Sequence, residues 1–231
     1  HDRIYRLTQS VSTVDRGDLL TARSPTAWGW MLTDEFPEVE DFTRIKAPLV
    51  SWLVGANGKR YDEPGFYFAD PGILDMFDFK MIQGDPRTAL NDPNTVVITE
   101  SMAERYFGND DPMGKVIRLD SSYDLSVTGV IEDVPEKSHM TFGFLGSFET
   151  LNANAIYGGQ DYGKQTQNFF PDLYTYLLLA EGYDIGSLEQ KMAGFISDNY
   201  SNQLTQANAE IQAFFQPLTS IHLYSNLDGE L

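Results

Sequence analysis

Cysteine is absent from all 231 residues. Thiol catalysis, thiolate metal sites and disulfides are thereby excluded, but the compartment stays open, because extracytoplasmic bacterial domains and cytosolic ones can both lack the residue. Positive charge is scarce, with 16 basic residues against 34 acidic ones and a net charge of −18. Nucleic acid phosphates and anionic headgroups would repel such a chain, so nucleic acid is not expected among its partners. No apolar run approaches the roughly 18 residues of a membrane span, and the longest, around Tyr174 to Ala180, is strand-sized. Histidine occurs three times, at His1, His139 and His222, with no HExxH or paired spacing. No metal is expected, and each is read as an ordinary hydrogen-bonded histidine. A Gly-x-Ser-x-Gly elbow and an EF-hand calcium loop are also missing, which removes the commoner hydrolase and calcium-module readings.

What is present suffices for a core: 42% of the residues are hydrophobic and 13% aromatic, over a length that holds one large domain or two small ones. The chain opens His1-Asp2-Arg3, with neither an initiator Met nor a signal peptide, and is expected to be a piece of something longer. The stretch from Asn94 to Leu119, "NTVVITESMAERYFGNDDPMGKVIRL", imitates a phosphate-binding unit. A Walker A loop needs Gly, four residues, Gly-Lys and a hydroxyl, because backbone amides wrap the phosphates and the hydroxyl holds magnesium. Here Gly108 precedes Gly114-Lys115 by one residue too many, Val116 replaces the hydroxyl, and the Gly-Lys follows the helix instead of opening it. The segment reads as structure: a β-branched strand from Thr95 to Ile98, Thr99 as helix cap, Met102, Tyr106 and Phe107 on one helical face, and Gly108 ending the helix.

The two ends of the chain share one order of elements. Residues 3–12 suit a strand, a helix from Ser24-Pro25 to Phe36-Pro37 carries Trp28, Met31 and Leu32, and "VEDFTRIKAPLVSWLVGANGKR" is extended up to a turn at Asn57-Gly58. In the last third, "DLYTYLLLAEG" is a strand, the following helix has Leu188, Met192, Phe195 and Ile196 on one face, and "EIQAFFQPLTSIHLY" reads as extended, interrupted by Pro217. Two βαβ halves in one sheet, with both helices on a single face, are the economical inference. Between them, from about Tyr61 to His139, short aromatic runs, turn signals at Pro64-Gly65 and Pro71-Gly72, and two strands joined near Ser121-Ser122 point to an inserted subdomain. The polar stretch Asn152 to Asn168 reads as a long loop that is mobile or contacts a partner.

No catalytic constellation emerges. Accidental carboxylate pairs are inevitable in so acidic a chain, and Asp34-Glu35 and Glu132-Asp133 are read as solvated surface. Trp28 and Trp30 flank Gly29 in the first helix and, two residues apart, cannot both face one core. One of them is expected at a partly exposed edge or a lobe interface, which makes the pair the candidate for partner contact.

Taken together, "LTDEFPEVEDFTRI", "FYFADPGILDMFDFKMIQGDPRTALNDPNTVVITESMAERYFGNDDPMGKVIRL", "VTGVIEDVPEKSH" and "SIHLYS" resemble the MacB-like periplasmic core domain of FtsX-like ABC transporter permeases, particularly the long forms of Bacteroidetes. The resemblance covers nearly the whole chain. It implies an α+β, porter-like sandwich of two βαβ halves, residues 1–60 and 140–231, with a mixed α/β lobe inserted at 61–139. It places such a domain on the periplasmic side of the inner membrane, between the first and second transmembrane helices of the parent protein. The implied role is mechanical, with no active site and no cofactor, and ATP is hydrolysed by a separate cytoplasmic subunit or domain. The implied partners are that ATPase, a second permease copy, and a periplasmic adaptor or cargo. The alternative from another class is a free-standing secreted or periplasmic ligand-binding domain.

Overall fold

The computed structural model describes residues 2–14, 17–135, 137–157, 161–225 and 227–231. Along the chain these form β1 (Ile4–Thr13), β2 (Gly17–Thr21), α1 (Trp28–Glu35), β3 (Val39–Lys46), β4 (Trp52–Ala56), β5 (Lys59–Glu63), β6 (Phe66–Ala69), α2 (Ile73–Met76) and β7 (Met81–Gln83). They continue as β8 (Thr95–Thr99), α3 (Glu100–Phe107), β9 (Val116–Leu119), β10 (Tyr123–Ile131), β11 (Phe144–Ser147), α4 (Glu149–Ala153), β12 (Tyr174–Leu179), α5 (Ile185–Ala207), β13 (Ala209–Pro217) and α6 (Leu218–Tyr224). The chain divides into two units, His1–Arg44 with Gly163–Glu230, and Ile45–Tyr162. The stretch 61–139 marked out by sequence lies inside the second unit, which extends past it at both ends. Strand pairing accounts for the extension: Ile45 and Lys46 pair with β6, β4 pairs with β9, and β11 pairs with both β6 and β8.

In the first unit the strand order is β13-β1-β12-β3, with β1 antiparallel to both neighbours. The strands of β1-α1-β3 thus interleave with those of β12-α5-β13, the split βαβ arrangement expected of the two halves. Alternation along β1 decides what each face holds. Leu7 and Val11 face the helices, where Trp28, Leu32, Leu177, Leu188, Met192 and Phe195 complete the core. Asp184 caps α5 by accepting from the Gly186 N–H at 3.2 Å, and Asn208, at φ 45°, closes its C-terminus.

One expectation for this unit fails. Residues 218–224 are the helix α6, where the sequence suggested a continued strand. Pro217 is the cause, since its missing N–H ends the ladder of β13 and its fixed φ suits a helix start. The Ser220 hydroxyl donates back to the Pro217 carbonyl at 2.8 Å. α6 lies against β1 and β13.

The second unit runs β6-β11-β8-β10-β9-β4-β5, with β7 pairing β10. β8, "TVVIT", is buried at every position and pairs parallel with β10, which suits an apolar β-branched run. The expected hairpin turn at Asn57-Gly58 is present, both residues having positive φ (49° and 76°). Gly84, at φ 96°, passes so close to β10 that a Cβ there would meet the Thr128 carbonyl oxygen at 2.5 Å.

At the start of α3 the sequence names the right position with the wrong chemistry. Thr99 is the N-cap residue, but its hydroxyl makes no capping bond. Instead Asp133, beyond the end of β10, accepts from the Ser101 backbone N–H at 3.0 Å and from the Ser101 hydroxyl. These bonds hold the Asp133 carboxyl below its ordinary range. Replacing Asp133 by Ala should cost about 1 kcal/mol, the usual value of a helix cap, and Thr99→Val much less. Urea denaturation of the two variants checks the order, and a larger loss from Thr99→Val would reverse the assignment.

Candidate functional site

Arg6 lies on the face of β1 opposite α1 and α5, in register with Tyr176 on one side and Gln216 on the other. It is fully buried. A guanidinium keeps its charge there, so it must be paired and hydrogen-bonded or cost several kcal/mol. Its Nη1 donates to Glu230 Oε2 at 2.5 Å, and its Nη2 donates to Gln216 Oε1 at 2.7 Å, Ser225 Oγ at 2.9 Å and Glu230 Oε1 at 3.0 Å. Partial burial pushes the Glu230 carboxyl up, but hydrogen bonds from Arg6 and Ser225 outweigh it and hold the group below its ordinary value of 4.5. Burial also drives the Tyr176 phenol well above its ordinary value of 10.0.

The backbone around Glu230 is tied down as well. The Asp228 N–H donates to the Leu20 carbonyl at 3.1 Å, and the Asp228 carbonyl accepts from the Ala22 N–H at 3.1 Å and the Thr21 hydroxyl at 3.0 Å. The Tyr174 hydroxyl donates to the Gly229 carbonyl. Residues 227–230 are thus strapped to β2 by backbone bonds and to β1 by a salt bridge. The arrangement can anchor a segment.

Trp28 has no exposed surface. Its Nε1 donates to the Tyr200 hydroxyl at 3.0 Å and its ring meets Phe195 edge-on, at 5.8 Å between centroids. Burial pushes the Tyr200 phenol up to about 12. Trp30 is half-buried at the margin of the same core, and among the described residues its buried Nε1 has no hydrogen-bond partner. Of the two, Trp30 is the one with surface to offer.

In the stretch 152–168, residues 158–160 lie outside the described residues. The chain is anchored at its C-terminal end, since the Gln9 side-chain amide donates to the Phe169 carbonyl at 2.8 Å. Residues Lys164 to Phe170 line an open cleft of about 570 Å³ beside the exposed ring of Phe170. Asp34 and Glu35 are exposed, while Glu132 pairs with Lys80 at 3.3 Å and Asp133 caps α3. His139 sits 6.1 Å from the Phe77 ring. His1 and the side chain of His222 lie outside the described residues, although position 222 falls in α6 and not in a strand. The Gly-Lys of the segment 94–119 turns the chain from α3 into β9, where Lys115 pairs with Asp110 at 3.0 Å. Among the described residues no group of three or more His, Asp or Glu is placed to hold a metal ion, and no helix is long and apolar enough to cross a membrane.

The family model of the MacB-like periplasmic core domain matches residues 3–195. The chain belongs to that family. Three solved structures share the fold of this periplasmic core domain at low identity. A domain of a Porphyromonas gingivalis protein assigned as a permease aligns with a TM-score of 0.77 and 23% identity over 94% of this chain and 90% of that one. The periplasmic region of MacB from Actinobacillus actinomycetemcomitans gives 0.63 and 14%, over 96% and 94%. The extracellular domain of the ABC-type transporter YknZ from Gram-positive bacteria gives 0.59 and 14%, over 90% and 99%. No protein of curated function matches the chain. The MacB-like domain is therefore a periplasmic-type domain of an ABC transporter permease, and the order of motifs from "LTDEFPEVEDFTRI" onward was the signal that revealed it.

Sequence reasoning missed the Arg6 network in this periplasmic core domain. Its only local sign was an arginine between Tyr5 and Leu7 in an otherwise well-formed strand, and Glu230 stands 224 residues away.

Proposed function

We propose that this domain transmits motion in an ABC transporter permease, coupling ATP hydrolysis by a separate cytoplasmic subunit or domain to work outside the inner membrane. The work is efflux, lipoprotein release or signalling. Membership of the MacB-like periplasmic core domain family carries this reading. The Arg6–Glu230 bridge supports it: a domain that relays force needs the strands and segments leading into it held firmly, and this bridge joins β1 to residues 227–230 at one point. On this reading the parent protein pairs with its ATPase and a second permease copy, and meets an adaptor or cargo through the periplasmic units. Trp30 is the proposed contact residue of the first unit.

Deleting the domain from the assembled parent complex tests the proposal. ATP hydrolysis should persist while transport or signalling output is lost. Full output without the domain would overturn the coupling role. The cleft at Lys164 to Phe170 favours, as a second reading, a free-standing binding domain. A reading frame that supplies a signal peptide before the domain and a stop codon soon after it would favour that alternative.

A further inference from the structure

β5 is the last strand in the order of the second unit, so its only sheet partner among the described residues is β4. Lys59 to Asp62 are all exposed, and only Glu63 turns inward. Ala56 and Lys59 flank the two-residue turn, which makes Ala56–Lys59 and Val54–Tyr61 the pairs that exchange backbone bonds. The N–H and C=O groups of Arg60 and Asp62 therefore point to the open side. The charges along this edge are polarised, with Lys59 and Arg60 at the turn end and Asp62 and Glu63 at the other. A cleft of about 400 Å³ beside it is lined by the Gly55–Arg60 hairpin, Arg118 and Ser121, with no carboxylate in the lining.

The cations there are unequally satisfied. Arg118 is held bidentately by Asp124, at 2.5 and 2.6 Å. The Lys59 ammonium donates to the Arg105 carbonyl and the Arg60 guanidinium to the Ser121 hydroxyl, both neutral acceptors. Arg105 lies over the Tyr61 ring at 4.2 Å and pairs with Glu63 at 3.0 Å. Among the described residues, two cations without a carboxylate partner thus stand at the turn end of a row of free backbone groups, with the exposed Asp62 carboxylate at the other end.

We propose that β5 is a docking edge for an extended, carboxylate-bearing segment of a partner protein, which adds to the sheet as a further strand. Backbone bonds to Arg60 and Asp62 supply the attachment, and Lys59 and Arg60 select for acidic side chains at the end of the incoming strand that meets them, away from the Asp62 carboxylate. The overall charge of −18 does not prevent this, because at physiological ionic strength screening limits it to about 8 Å and the nearest charges decide. Charged residues on an edge can instead serve only to repel other strands. The two roles predict opposite results. The proposal is independent of the coupling role, since an edge that captures a partner does so in a free-standing domain as well.

The test measures binding of the 231-residue chain to three synthetic peptides of equal length: one of Thr with two consecutive Glu at one end, one with two Lys in their place, and the Glu peptide with alternate amides N-methylated. The Glu peptide is expected to bind, the Lys peptide at least tenfold more weakly, and the N-methylated form not at all. Lys59→Glu with Arg60→Glu should reverse the preference between Glu and Lys peptides while leaving the melting temperature unchanged. Equal binding of the two charged peptides, binding that survives N-methylation, or no binding to the native chain would overturn the proposal. In the last case, aggregation of a Lys59→Thr, Arg60→Thr variant would assign the cations to guarding the edge.

Discussion

Replacing Glu230 by Ala is expected to destabilise the first unit by about 3 kcal/mol, the lower end of the range for breaking a buried ion pair. The lower end applies because Glu230 is itself 32% exposed, whereas Arg6 is wholly buried. The cost comes from Arg6, which cannot shed its proton and would keep only Gln216 and Ser225 as neutral acceptors. Glu230→Gln retains an acceptor but loses the charge, and should cost less than Glu230→Ala. Arg6→Met, which removes the buried charge with its partner's task, should cost less than Glu230→Ala. Urea denaturation of the three variants gives this order, and a neutral Glu230→Ala would show that the bridge contributes nothing.

The same bridge sets a pH dependence. The folded Glu230 carboxyl is held below its ordinary value of 4.5, so the unfolded chain binds the proton more readily. Its contribution is therefore complete above the unfolded value and is lost as pH falls through the lower, folded one. Native protein should lose stability in that acidic window by more than Glu230→Gln does. Parallel curves for the two would contradict the linkage.

The second large effect separates the two tryptophans. Trp28→Ala removes a fully buried ring that meets Phe195 and bonds Tyr200, and should cost about 3–5 kcal/mol. Trp30→Ala, at the half-buried margin, should cost clearly less, because part of that ring is already in water. If Trp30 is a partner contact, its replacement weakens assembly with the partner while stability changes little. Equal losses of stability from both variants, with partner binding unchanged, would end the contact proposal.

Much of the architecture could be read from the chain because local pattern and tertiary demand agree there. The β-branched run Thr95 to Ile98 is a buried strand, Asn57-Gly58 can adopt the left-handed turn that a tight hairpin needs, and Leu188, Met192, Phe195 and Ile196 face the core of α5 together. What could not be read depends on distance through space. Asp133 displaces Thr99 as the functional cap because the chain returns to α3 some thirty residues later, which composition cannot announce. Arg6 finds its counter-charge near the far end of the chain, 224 residues away, beyond a segment 218–224 that folds as a helix and not as the extended chain expected. The tryptophan spacing established that the two rings diverge, but only packing decides which one is buried.

The relay of motion through this domain is most directly tested by hydrogen exchange on the parent permease assembled with its ATPase, comparing ATP-bound and nucleotide-free states. Backbone amides of β1 and residues 227–230 should change protection together between the two states, and Glu230→Gln should weaken that concert while ATP hydrolysis continues. Identical protection across the domain in both states would contradict the account.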